Sequence, residues 1–569
     1  MRKFVFRFII SLLLLHSLGL NAQQKKPFIH ELDEPNAWVD SVFKKLNRKQ
    51  RIAQLFFVRA HTDKGKAYED SIAKVIRKEK IGGLVFFQGG PGRQLGLTKQ
   101  YQQLARVPLL IAMDAEWGLG MRLDSTMSYP YQMTLGAIQD ENLIEKMGRE
   151  IAYDLKRLGV HINFAPVVDI NNNPKNPVIG FRSFGDDKLQ VARKASAYMK
   201  GMQEKGILVS LKHFPGHGDT DVDSHYDLPQ LNFERSRIDT LEMYPFKELI
   251  KNGASGVMVA HMNIPALDAS TNLPSTLSKP IVGGILKNEL SFKGLVFSDA
   301  MGMKGVVKFF PNGEADVRAL MAGNDVLELS ENSKRGVRLV RMAIRKKQIS
   351  REQINESVKK VLAAKYWAGL YQTVKLNPAT VHEDLHRPSA QALNQQLADA
   401  AVTVLNSRRL IDDLDPNKKT IIVSLGSSQT NVFQQGLRNY FKQAEFICLD
   451  KSASAQEVEQ VLAKISPDLQ IIVSIHDTRK RPGPVLDFKS DLIYLMNQSA
   501  QRGAIISVFA NPYTLIQLPE IAKAQTLVLN YQNSDEMQKA AVKVISKAIP
   551  SKGKLPVNVN VSLKNGDGL

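Results

Sequence analysis

Between residues 50 and 330 the chain alternates short, wholly apolar runs with longer amphipathic stretches, and this alternation is what most constrains its fold. Runs of this kind read as strands buried on both faces of a parallel sheet, with helices as the crossovers. They are Gly83-Leu84-Val85-Phe86-Phe87, Leu109 to Met113, Val160 to Val168, Leu208 to Leu211, Val257 to Ala260, Leu295-Val296-Phe297 and Val326-Leu327, with an eighth near Leu55 to Val58. Eight β/α units predict an α/β fold of the closed (β/α)8, or TIM, barrel type. Barrels of this kind carry their chemistry at the C-terminal ends of the strands. The polar residues that follow the runs are therefore the candidates: Asp114, Asp169, Lys212-His213, His261 and Asp299.

The pattern pauses at the polar, Pro-containing stretch 375–388, which reads as a linker, and restarts from residue 389. Five further apolar runs, Thr420 to Leu425, Ala444 to Leu449, Leu469 to Ile475, Ala504 to Phe509 and Thr526 to Leu529, predict a smaller α/β sandwich over 389–569 behind a barrel over 27–374. No short-period repeat and no low-complexity segment interrupts either block.

Ahead of the barrel, a basic start (Met1 to Arg7), a run of apolar residues from Phe8 to Leu20 and a small residue at Ala22 predict a secretory signal peptide over 1–22. The apolar run falls short of the roughly 20 residues needed to span a bilayer, so the expectation is export into a periplasm without stable membrane insertion. Cys448, the single cysteine, cannot form an internal disulfide and reads as a buried small hydrophobe. The formal net charge is +20, but Lys and Arg are scattered along helix-like stretches such as 335–348 and form no aromatic-interleaved patch. That distribution argues against a nucleic-acid partner.

The densest chemistry lies in Lys212-His213-Phe214-Pro215-Gly216-His217-Gly218-Asp219-Thr220-Asp221-Val222-Asp223-Ser224-His225, directly after a predicted strand. A solvated turn accounts for one Asp–Gly pair but not for the cluster. Metal binding is a rival, since His and Asp are natural ligands, yet the loop has neither thiols nor a helical His-x3-His face. In an extended segment residues two apart share a side, so Asp223 can orient a ring nitrogen of His225. An imidazole with an ordinary pKa near 6.5 suits proton delivery near neutral pH.

With its neighbours, this loop resembles that of family 3 glycoside hydrolases of the β-N-acetylglucosaminidase (β-N-acetylhexosaminidase) type. The same family order is kept by Asp169-Ile170-Asn171-Asn172-Asn173-Pro174, Asn176-Pro177-Val178-Ile179-Gly180, Arg182-Ser183-Phe184-Gly185 and Phe297-Ser298-Asp299-Ala300-Met301-Gly302-Met303. The resemblance covers about 35–370 closely and the second block more loosely. It implies a retaining, exo-acting enzyme that needs no cofactor and no metal. Asp299 would be the nucleophile and His225, paired with Asp223, the acid/base, while Asp114, Arg182, Lys212 and His213 would hold the sugar. Without the family, a helix N-cap is a minor alternative reading of Asp299. The implied partner is a glycan bearing terminal N-acetylglucosamine, of peptidoglycan type (a muropeptide) or chitin type.

Two departures qualify these expectations. Asp114-Ala115-Glu116-Trp117-Gly118-Leu119-Gly120-Met121-Arg122 places Trp117 where the family usually has glycine, which would narrow the pocket or offer a stacking face. Relatives with this tryptophan can carry a further serine-hydrolase-like domain, which is expected to be absent here or to have been cut away. Arg59, after an early apolar run, is a candidate partner for a muramyl carboxylate. A β-glucosidase, a phosphorylase using the same nucleophile, and a non-catalytic carbohydrate-binding barrel remain open alternatives.

Overall fold

A computed structural model describes residues 26–224, 226–372, 376–466 and 468–569, so the leader 1–22 and His225 lie outside the described residues. Nine short strands build the first unit: β1 (Phe56–Ala60), β2 (Gly83–Phe86), β3 (Leu110–Met113), β4 (Ile162–Asn163), β5 (Leu208–Val209), β6 (Leu211–Phe214), β7 (Gly256–Val259), β8 (Leu295–Ser298) and β9 (Leu327–Glu328). They pair in the orders β5-β4-β3-β2-β1-β9 and β6-β7-β8, all parallel. β5 and β6 are one stave interrupted at Ser210, whose N–H reaches the Asn163 carbonyl at 3.0 Å. A Phe297–Val326 bridge and a 2.9 Å bond from Ser298 N–H to the Val326 carbonyl join β8 to the β9 segment and close an eight-stave barrel.

The expected strands are all present. The Val160 to Val168 run differs, since regular pairing covers only Ile162–Asn163. Beyond it Pro166 offers no N–H to a ladder, and Val167 and Val168 turn to meet Lys212.

Strand alternation decides which residues reach the mouth, because successive side chains point to opposite faces. Phe57, Val85, Leu110, Ala112, Ile162, Phe164, Leu208, Met258, Leu295, Phe297 and Val326 belong to one buried cluster that fills the barrel. The ring of Phe297 meets Phe57 from β1 and Phe164 from beyond β4, at 6.4 and 5.4 Å, which places all three inside. Continuing in steps of two, the same inward face ends in Arg59, Asp114, Lys212, Asp299 and Glu328. The alternate residues, such as Leu84, Ile111, Val209, Val257 and Val296, pack outward among the helices.

The second unit has six strands, not the five expected: β10 (Thr403–Asn406), β11 (Thr420–Leu425), β12 (Ala444–Leu449), β13 (Gln470–His476), β14 (Ile505–Phe509) and β15 (Thr526–Leu529), in the order β10-β15-β14-β13-β11-β12. Only β10 is antiparallel, along β15. It follows helix Pro388–Ala401 after the single residue Val402, so its apolar residues merge with the helical pattern in the sequence. Cys448 is half-buried rather than buried: β12 is an edge strand, and the thiol donates to Gln434 Oε1 at 3.0 Å.

Between the units, helix Val381–Leu385 is tied to the barrel helix Glu141–Arg157. Arg157 bonds Asp384 at 2.7 Å, and Arg387 bonds Glu150 and Asp154 at 2.5 and 2.8 Å. Loops at the ends of β14 and β15 buttress the barrel mouth. Tyr513 donates to the Asn171 carbonyl at 2.7 Å, and Gln532 accepts from Tyr131 N–H and the Thr134 hydroxyl at 2.7 and 2.8 Å. Among the described residues no helix is long and apolar enough to cross a membrane.

Candidate active site

The mouth is organised around two carboxylates, Glu116 buried and Asp114 half-buried, and three cations. Asp114, just past β3, takes Lys212 Nζ at 2.9 Å on one oxygen and Arg122 on the other. Glu116, wholly buried, takes Lys212 Nζ at 2.7 Å and a two-pronged contact from Arg182, at 2.7 and 3.0 Å. Burial alone would push both carboxyls up, but Lys212 and Arg122 hold Asp114 well below the usual range, and Arg182 and Lys212 hold Glu116 down at about 2. The same attraction overcomes burial on the cations and raises Lys212 and Arg182. The group therefore stays ionised at neutral pH. Removing one partner of such a buried set strands the other, at a cost of about 3–5 kcal/mol.

Two side chains from behind hold the Asp114–Glu116 turn. Asn163 accepts from Ala115 N–H at 2.9 Å, and Tyr198, on helix Lys188–Glu204, donates its hydroxyl to the Ala115 and Glu116 carbonyls, both at 3.1 Å. That helix starts where Asp187 accepts from Gln190 N–H, the expected N-cap geometry.

Asp169 organises the histidine loop. Its carboxylate takes His213 Nδ1 at 2.7 Å and the backbone N–H groups of His213 and His217 at 3.1 and 2.7 Å. Burial opposes this charge, but His213 more than offsets it and the Asp169 carboxyl is lowered. His213 is thereby held by one nitrogen, as second partners orient functional imidazoles elsewhere. His217 is a loop fastener. Its ring bonds Thr220 at 2.9 Å and Ser224 at 3.2 Å, and burial, then His213, pushes it down to about 4, so it stays neutral. Gly218 is required by closeness, since a Cβ there would lie 1.7 Å from the Ile170 carbonyl oxygen.

Asp299 begins the segment after β8, with N–H bonded to the Val259 carbonyl at 3.0 Å and Oδ1 accepting the Ala300 N–H at 2.7 Å. His261, another expected strand-end residue, is wholly buried and contacts the Ala300 carbonyl at 3.1 Å and Thr276 at 2.7 Å. It steadies the turn that carries Asp299. The loop bearing Asp223 lies over the same segment: the Asp227 and Ser224 carbonyl oxygens are 2.8 and 3.0 Å from where a Gly305 Cβ would stand, and Lys308 pairs with Asp227 at 2.9 Å. His225, the expected partner of Asp223, lies outside the described residues.

Trp117 stands against Tyr131 at 4.9 Å and Phe181 at 6.0 Å, an aromatic wall adjoining Arg182. The Arg59 guanidinium lies over the Phe87 ring at 4.7 Å, with Arg122 over the same ring at 4.5 Å. Sequence reasoning assigned no role to Glu116 or Arg122, although both stand in the quoted motif, and Glu328 it passed over. Their signal was spacing: Glu116 lies two residues beyond Asp114, and Glu328 ends an apolar run.

Carboxylates accept hydroxyl hydrogens in pairs, while fixed guanidinium and ammonium groups supply donors that neutral side chains cannot match. On a closed parallel barrel, a mouth of this composition has the donors and acceptors that a polyhydroxylated ligand would need. The N-terminal domain pattern of glycosyl hydrolase family 3 matches residues 48–364. The chain belongs to that family and is a glycoside hydrolase. It is 30% identical over 403 residues to a β-hexosaminidase A from Pseudoalteromonas piscicida, covering 65% of this chain and 67% of the relative. Over 381 residues it is 26% identical to a β-N-acetylglucosaminidase/β-glucosidase from Cellulomonas fimi, covering 66% and 67%. The solved structure of a family 3 β-N-acetylglucosaminidase from Paenibacillus sp. str. FPU-7 superposes with a TM-score of 0.77 at 29% identity, covering 91% of this chain and all of that one.

Proposed function

We propose that this protein is an exported, exo-acting, retaining β-N-acetylglucosaminidase that removes terminal N-acetylglucosamine from peptidoglycan-type glycans. The observation that carries the reading is the convergence, at one barrel mouth, of Asp299 with the ionised set Asp114, Glu116, Arg122, Arg182 and Lys212. The relatives named for hexosaminidase activity supply the sugar. Asp299 attacks the anomeric carbon to form a glycosyl ester while His225, oriented by Asp223, protonates the departing oxygen. His225 then takes a proton from water as the ester is cleaved, so that two inversions give net retention. Asp114, Arg182, Lys212 and His213 hold the sugar, and Glu116 keeps Arg182 and Lys212 in place. Domain limits of 27–374 and 389–569, with a leader over 1–22, complete the reading.

The test is release of chromophore from aryl β-N-acetylglucosaminide by purified wild-type and Asp299→Ala protein, with and without chelator and with and without phosphate. Product anomers are followed by proton NMR, and a disaccharide muropeptide serves as the natural substrate. Chelator-resistant release of β-configured N-acetylglucosamine that vanishes in the variant is expected. Sugar-1-phosphate formation would make the enzyme a phosphorylase. Preference for the aryl glucoside would overturn the acetamido-sugar assignment, and an α-configured first product would overturn retention.

A further inference from the structure

We propose that Glu328 is a further substrate-binding residue, a hydrogen-bond donor on the floor of the sugar pocket that reaches a hydroxyl of the ring held between Asp114 and Asp299. The proposal rests on the glycosidase reading above and adds a residue that the reading does not use.

Register gives the placement. Glu328 is the last residue of β9 and lies beside Phe57 of β1, and register partners in a parallel pair share a face. Phe57 points inward, against Phe297. Glu328 therefore caps the aromatic filling of the barrel, on the side where the pocket opens. Its backbone is fixed by its neighbour, with its N–H on Ser298 Oγ at 2.9 Å and its carbonyl taking Met301 N–H at 2.8 Å. The side chain is 4% exposed, and Oε2 is buried with no hydrogen-bond partner among the described residues. A buried carboxyl oxygen without a partner is costly, and such groups call for an explanation in function.

The surroundings decide its charge. The groups acting on it are Asp114 and Arg122 after β3, Lys212 on β6 and Asp299 after β8; Arg59 stands two residues past Phe57 on β1. Arg122 is already bonded to Asp114, and Lys212 is shared between Asp114 and Glu116. Among the described residues no cation forms an ion pair with Glu328, and Lys212 and Arg122 only lessen the upward push on its carboxyl. Burial first, then Asp114 and Asp299, pushes its carboxyl well above the usual range. It stays protonated and donates where its neighbours accept, and one donor among acceptors is what a hydroxyl oxygen in that gap needs.

The experiment compares wild type, Glu328→Gln and Glu328→Leu. Melting curves come first, without substrate. Wild type folds with this carboxyl protonated and unfolds with it ionised, so its melting temperature should fall relative to Glu328→Gln as pH rises from about 4.5 to 8. Kinetics follow on aryl β-N-acetylglucosaminide and aryl β-glucoside with the same leaving group. Glu328→Leu, folded by its melt, should lose about 10- to 100-fold in kcat/KM. Glu328→Gln, which keeps a neutral donor, should lose clearly less and should lack the part of the alkaline decline that Glu328 ionisation causes in wild type. Glu328→Leu at wild-type kcat/KM, or wild type and Glu328→Gln with superimposable pH curves in both melts and kinetics, would overturn the proposal. Should wild type cleave neither glycoside, the glycosidase reading falls and the sugar-binding role with it, while the melts still report whether Glu328 carries a proton. The two failures are thereby told apart.

Discussion

Both units carry a buried histidine near the C-terminal end of a parallel strand, His213 on β6 and His476 on β13, and the two stand in opposite surroundings. His213 rests on the Asp169 carboxylate at 2.7 Å, in a mouth of ionised groups. His476 lies flat on Phe509 at 4.6 Å, with Ser474, Asn431 and Asn533 on its nitrogens at 2.9, 3.1 and 3.1 Å, all neutral, and burial pushes it down to about 4. Architecture alone therefore does not make a site. The same strand-end position lies in a charged mouth where counter-charges keep polar groups ionised, and becomes part of a core where only amides and hydroxyls face it. The second unit acts on the mouth through contacts such as Tyr513 to Asn171, as a buttress.

The comparison can be broken most severely at Asp299. Asp299→Ala should reduce kcat on aryl β-N-acetylglucosaminide by on the order of 10⁴-fold or more with the fold intact by circular dichroism; a smaller loss would move the chemistry elsewhere. Next, Arg182→Ala leaves Glu116 buried against Lys212 alone. It should cost about 4 kcal/mol, shared between kcat/KM and stability, as both assays would show.

A third test uses a carboxyl of the barrel unit, Asp316, that forms no ion pair among the described residues. Asp316 accepts from Ser330 at 2.6 Å, and burial pushes it up to about 7. The folded form holds its proton above the unfolded pKa near 3.9, so wild type loses stability as pH rises from about 4 through 7. Asp316→Asn should be the more stable protein at pH 8, by about 4 kcal/mol, with the difference fading towards pH 4; urea melts at both pH values decide. The smallest effect is expected in the second unit. The lowered pKa of His476 means stability is lost as pH falls from about 6.5 towards 4, so at pH 5 wild type should trail His476→Gln by about 2 kcal/mol relative to their difference at pH 7.5. Activity of that variant should stay within about threefold of wild type, and a larger loss would place the second unit inside the chemistry.

Much of this was legible without coordinates. The strand runs and the places of Asp299 and the histidine loop at strand ends follow from local composition and spacing, because a buried parallel strand must be apolar and the polar residue after it falls at the mouth end. β10 was hidden, since an apolar run continuous with a helix carries no boundary signal. Glu116 was quoted but given no role because nothing local says whether an acid two residues past a strand faces solvent or a guanidinium 66 positions away. The partners of Asp114, Glu116 and Asp169 come from different staves, and Glu328 acquires its inward face only through register with Phe57. The sequence alone determined which residues could carry charge at the strand ends. Barrel closure decided which of them meet, and burial with its counter-charges decided which stay ionised, because both depend on distances that only the folded chain sets.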